Sequence, residues 1–174
     1  MFAHNYIYML WQLLQKRNER TKTNTNTGRY KRVSCSNLKE YWRRVNIPEA
    51  KVKLAQDCYV YFNVIPSDSK QNRWQLITEI WFGSASSKMS VNCIKFVPGE
   101  EFETVLPDGR ECRVIILIED NVMTSYQVPL CSEKCESSPD TLVIRQFTQD
   151  GFILRMECEG VISTQEFIRC LEDS

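Results

Sequence analysis

From residue 58 onward the chain divides into short β-rich runs at 58–65, 74–82, 88–96, 110–118, 122–128, 141–148, 152–158 and 161–170. They are rich in Val, Ile, Phe, Tyr and Thr, and turn residues punctuate them, among them Pro66-Ser67-Asp68-Ser69, Gly83-Ser84, Pro98-Gly99, Pro107-Asp108-Gly109, Asp120-Asn121 and Gln149-Asp150-Gly151. Such a series predicts a meander of antiparallel hairpins. With so many strands and so few long connections, an up-and-down β-barrel is the expected fold, because closure removes the edges that an open sheet exposes. A barrel of this size can hold a ligand inside.

The rest of the chain is organised differently. Phe2, Tyr6, Met9, Leu10 and Leu13 recur at helical spacing, and Thr21-Lys22-Thr23-Asn24-Thr25-Asn26-Thr27-Gly28 then carries no apolar side chain. Residues 1–27 are read as an N-terminal extension and linker, helical or disordered, and residues 28–174 as the barrel domain. Ser36-Asn37 can cap a helix through Leu38, Tyr41 and Trp42, and Pro48-Glu49 can open a second through Val52 and Leu54.

With 43% hydrophobic residues in 174, the chain can bury a real core, which excludes a long disordered protein. The formal net charge is zero and argues against a nucleic-acid partner. That total conceals an asymmetry, since residues 1–53 carry 12 Lys or Arg against Glu19, Glu40 and Glu49, and residues 54–174 are acidic by the same margin. Of the eight cysteines, six sit singly in apolar runs, where a reduced thiol behaves as a small hydrophobe, and only Cys131 and Cys135 lie close together. A reducing, intracellular setting is expected. No stretch approaches the roughly 20 apolar residues that span a bilayer. The apolar stretch 6–14 lacks the flanks of a secretory signal, since Gln15-Lys16-Arg17-Asn18-Glu19-Arg20 follows it directly.

Catalysis finds little support. His4 is the single histidine and lies in the extension, which leaves no Cys-His or Ser-His pair in the barrel. Glu100, Glu101 and Glu103 follow a Pro-Gly turn and read as a solvated rim. Cys131 and Cys135 supply only two thiols where structural zinc takes four ligands, so neither a metal nor a cofactor is expected.

Three blocks make the sequence similar to the intracellular lipid-binding proteins of the calycin superfamily, the fatty-acid-binding and cellular retinoid-binding proteins. They are Gly28-Arg29-Tyr30-Lys31-Arg32-Val33-Ser34 with Asn37-Leu38-Lys39-Glu40-Tyr41; Gly99-Glu100-Glu101-Phe102-Glu103 with Pro107-Asp108-Gly109-Arg110-Glu111-Cys112; and Gln149-Asp150-Gly151, Glu159-Gly160-Val161 and Gln165-Glu166-Phe167. Arg32 and Leu38 depart from the usual apolar and aromatic residues of the first block. The resemblance implies a barrel of about ten strands under a two-helix lid, with access through a portal that maps to 48–56, 83–87 and 107–109.

In acid-binding members an Arg on the antepenultimate strand and an Arg-x-Tyr pair on the last hold a carboxylate. The resemblance carries these ligand-binding positions over to Arg145, Gln165 and Phe167. Arg145 favours an acid or an internal partner, because a buried guanidinium needs a partner and a carboxylate matches its geometry; the plainer reading has Arg145 facing solvent or paired with a neighbouring carboxylate. Gln165 with Phe167 is closer to retinol carriers, where an amide serves a hydroxyl. A hydrogen bond to a charged group contributes about 1.5–3 kcal/mol and each buried methylene roughly 0.8 kcal/mol, so a few methylenes offset one missing donor. The expectation is a monomeric, cytoplasmic and also nuclear carrier of a long-chain fatty acid, not an enzyme. The alternatives are a retinol or retinoic acid carrier, or an interaction module whose cavity has collapsed. Lys39, Arg43, Arg44, Lys51 and Lys53 on the lid, with Lys16, Arg17 and Arg20, suit transient contact with anionic membranes, although a solvated helix face is the simpler account of such a set.

Overall fold

The computed structural model describes residues 27–54, 58–68, 72–82, 88–130 and 138–170. The N-terminal extension up to residue 26, with His4, and Cys131 and Cys135 lie outside them. Ten strands and two helices follow in the order β1 (Gly28–Ser36), α1 (Leu38–Arg44), α2 (Glu49–Leu54), β2 (Cys58–Asp68), β3 (Arg73–Phe82), β4 (Lys88–Phe96), β5 (Glu101–Val105), β6 (Glu111–Glu119), β7 (Val122–Pro129), β8 (Thr141–Phe147), β9 (Gly151–Cys158) and β10 (Val161–Arg169). All ladders are antiparallel, and the hydrogen-bonded order is β4-β3-β2-β1-β10-β9-β8-β7-β6-β5. The pairing of β1 with β10 turns the meander into a nearly closed barrel.

The two ends of this order, β4 and β5, meet through side chains. Asn92 Nδ2 donates to the Val105 carbonyl at 2.8 Å, and the Phe96 and Phe102 rings stack with centroids 6.2 Å apart. Closure of the ladder is therefore incomplete, and a polar clasp and an aromatic pair span the gap.

Alternation forms the wall. Along β10 the buried residues Ser163, Gln165 and Phe167 interleave with exposed Ile162, Thr164, Glu166 and Ile168, and on β6 Cys112, Val114 and Ile116 are buried beside exposed Glu111 and Arg113. The end of the barrel away from the helices is closed by rings. Phe152 stacks on Phe167 at 4.5 Å and meets Tyr30 edge-on at 5.0 Å, with Phe147 and Phe62 against it. At the other end Leu38, Tyr41, Val45, Ile47 and Val52 form a second cluster with Cys158 that seats the helices.

Four local expectations need correction. Glu101–Val105 is a strand absent from the expected series: its glutamates are exposed, as a solvated rim requires, while Phe102 and Thr104 face in, so the acidic side chains masked the alternation. β2 continues past Pro66 to Asp68, with a register shift there that accommodates a residue unable to donate. Arg110 precedes β6 instead of opening it. Its backbone N–H bonds Asp108 Oδ1 at 3.0 Å and its guanidinium bonds Oδ2. Finally, Asn37 precedes α1 in a left-handed conformation (φ 54°) and caps no helical N–H, because its amide instead donates to the Ile162 carbonyl on β10 at 2.8 Å.

Candidate ligand site in the barrel

Arg145 faces the interior, on the parity of Thr141, Val143 and Phe147. Its guanidinium carbon lies 4.8 Å from the centre of the Phe62 ring, a cation–π contact. Its Nε and Nη1 are sealed from water without a hydrogen-bond partner among the described residues. Burial pulls its pKa down to about 10, with Tyr41 opposing slightly, so the group stays charged at neutral pH.

Register decides what lies beside it. Arg145 pairs with Leu154 on β9, and Leu154 pairs in turn with Gln165 on β10, so Arg145 and Gln165 flank one leucine across about 10 Å of sheet. Phe147, Phe152 and Phe167 form the adjacent row toward the closed end. Gln165 and Phe167 are both buried. Phe167 lies in the aromatic floor, and Gln165 stands one inward step above it.

The sequence reading missed a fourth inward group, Arg32. A register shift between Arg32 and Ser34 turns Val33 out to 49% exposure and leaves Arg32 paired with Phe167 and Cys35 with Gln165, both on the inner side. Arg32 Nη1 donates to Gln165 Oε1 at 3.4 Å, and Nη2 donates to the Cys58 carbonyl at 2.6 Å. The only signal in the sequence was an arginine where the resembling family has an apolar residue.

Other inward positions are polar as well. Thr78, Ser125, Gln127, Thr141 and Ser163 are buried, with Thr141 donating to Gln127 at 2.8 Å and Ser163 to the Ser36 carbonyl at 2.8 Å. Under the lid Arg110 and Asp108 form a buried pair beside Tyr41. Burial alone would lower the Arg110 pKa, but the Asp108 charge and hydrogen bonds hold it above its usual value. Of the expected portal, α2 and the 107–109 turn are joined where Lys51 Nζ donates to the Asp108 carbonyl at 3.0 Å; residues 55–56 and 83–87 lie outside the described residues. Among the described residues no cluster of three or more His, Cys, Asp or Glu could hold a metal ion, and no helix is long and apolar enough to cross a membrane.

No family model matches the chain. Fatty acid-binding protein homolog 6 of Caenorhabditis elegans is 21% identical over 142 residues, 82% of this chain and 95% of that protein. Human cellular retinoic acid-binding protein 2 is 32% identical over 93 residues, 52% of this chain and 64% of that protein. Among solved structures, the fatty acid binding protein of Schistosoma mansoni in complex with arachidonic acid superposes with a TM-score of 0.72 at 15% identity, over 87% of this chain and all of that one. The worm relative and the Schistosoma structure extend over the barrel that register and burial define, and the chain is similar in fold to fatty acid-binding proteins and, over about half its length, in sequence to a cellular retinoic acid-binding protein.

Proposed function

We propose that this protein is a non-catalytic carrier that takes a long-chain fatty acid into the barrel and delivers it to membranes or other proteins. The observation that carries the reading is Arg145, a charged guanidinium turned inward with two buried donor nitrogens that lack an acceptor among the described residues. A carboxylate supplies both charge and acceptors, and a neutral head group supplies only the second. Gln165 would donate to the same carboxylate, and Phe167 would pack against the ligand from the aromatic floor.

Retinoic acid is also a carboxylate, and the human relative that shares half of this chain is named for binding it, so a retinoid is the second reading. A collapsed barrel is the third, and the buried polar residues Thr78, Ser125 and Gln127 on the inner wall speak against it. Delivery is proposed to use the basic lid as a membrane contact, from a cytoplasmic, monomeric protein that also reaches the nucleus. Mass spectrometry of lipid extracted from the purified protein tests the assignment. Fatty acid is the expected extract, and displacement of a fluorescent fatty acid by oleate but not by retinol or retinoic acid should accompany it. A protein that carries no lipid and takes none up would overturn the carrier reading.

A further inference from the structure

Gln165 is an ambiguous recognition group, since an amide can donate through Nε2 or accept through Oε1. Arg32 removes the ambiguity. A guanidinium has donors only, so the atom of Gln165 that faces it must be the oxygen, and Oε1 lies 3.4 Å from Arg32 Nη1. Arg32 is itself held from β2, with Nη2 on the Cys58 carbonyl at 2.6 Å and 3.5 Å from its sulfur, so its fork cannot follow a turning amide without losing those contacts. Nε2 consequently points the other way, toward Met156 Sδ at 3.9 Å on β9, the strand between Gln165 and Arg145. A thioether is a weak acceptor, and a carboxylate oxygen would replace it with a far stronger one.

We propose that Arg32 is a specificity-determining residue: it holds the Gln165 oxygen against β1, fixes the amide as a donor toward the lumen, and thereby selects carboxylate over alcohol head groups. The inference rests on the carrier reading and names what that site discriminates. A bound alcohol brings an O–H that needs an acceptor, and with the Gln165 oxygen turned away that proton is left unpaired in a buried place. A carboxylate brings acceptors only and meets donors from both sides, Arg145 across β9 and the Gln165 amide on β10.

The test is competition of oleate and oleyl alcohol against a fluorescent fatty acid, read as the ratio of their dissociation constants in the full chain. Arg32→Leu frees the amide to turn, and the preference for acid over alcohol should fall by about tenfold. Arg32→Lys retains a donor-only cation and should restore most of it. In a Gln165→Leu protein the preference should already be reduced, and adding Arg32→Leu should change it little further. An Arg32→Leu protein that weakens both ligands equally, or neither, overturns the inference while leaving the carrier reading intact. A wild-type protein that binds no oleate overturns the carrier reading itself. Should Arg32→Leu fail to fold, an undiminished preference in the Gln165→Leu protein, where Arg32 is native, overturns the inference as well.

Discussion

At Arg145 the proposed binding role and the stability of the empty barrel oppose each other. A buried donor without an acceptor costs about 1–3 kcal/mol, and Arg145 has two, Nε and Nη1. Replacing it with Met, similar in length and free of donors, is expected to stabilise the empty barrel by about 1–3 kcal/mol while weakening oleate by about 10- to 100-fold. Urea unfolding and displacement titration check the two halves, and a variant that binds oleate as tightly as the wild type removes Arg145 from the site. The thiols give a second prediction at this scale. Burial pushes Cys112 and Cys158 up to about 11, so their thiolates are scarce near neutrality, whereas Cys93 is exposed. Alkylation at about pH 8 should modify Cys93 first among the described cysteines and spare Cys112 and Cys158 until the protein unfolds; early labelling of either buried thiol would contradict this burial. Arg145 was legible through the family resemblance, since the alternation of β8 by itself supports an inward arginine only weakly. Arg32 was not, since Val33 and Cys35 on the opposite parity read as the inner face, and nothing in the local residues announces the bulge that leaves Val33 exposed.

At the scale of the element, β9 and β10 approach closely at Gly151, in the barrel's aromatic end. A Cβ on Gly151 would lie 1.9 Å from the Phe167 carbonyl oxygen and 3.0 Å from the Ile168 Cα, both backbone atoms of the paired strand. Gly151→Ala should therefore cost more than about 2 kcal/mol, because neither strand can move without opening the ladder that carries Gln165 and Phe167. Urea unfolding measures the loss, and a stability within experimental scatter of the wild type would refute the contact. Strand boundaries were largely legible from hydropathy and turn residues: β4 is the predicted 88–96 segment, and β7, β9 and β10 differ from prediction by one residue at one end. β5 was hidden because only two of its five residues turn inward. The cap at Asn37 was misjudged for a different reason. Its side chain is claimed by β10, a partner 125 positions away that no local rule weighs.

For the whole molecule the relevant quantity is where charge sits on the nearly closed barrel. The lid carries Lys39, Arg43, Arg44, Lys51 and Lys53, but Arg43 bonds Glu40 and Glu49, and Arg44 reaches Glu159 at 3.5 Å. These pairs are exposed and therefore weak, and an anionic surface can compete for the arginines. Reversing both, Arg43→Glu with Arg44→Glu, should slow transfer of a fluorescent fatty acid to anionic vesicles several-fold, at roughly 1 kcal/mol per charge near the surface, and leave transfer to neutral vesicles unchanged. Equal rates to anionic vesicles would remove the lid from delivery. The chain's linear order suffices for a barrel with an inner and an outer face, because the alternation of side chains along a strand is local and survives without knowledge of any partner. It does not suffice for the site. Arg32, Arg145 and Gln165 come from three strands, and their proposed convergence depends on long-range register, where a slip of a single residue would turn a guanidinium from the lumen to the solvent.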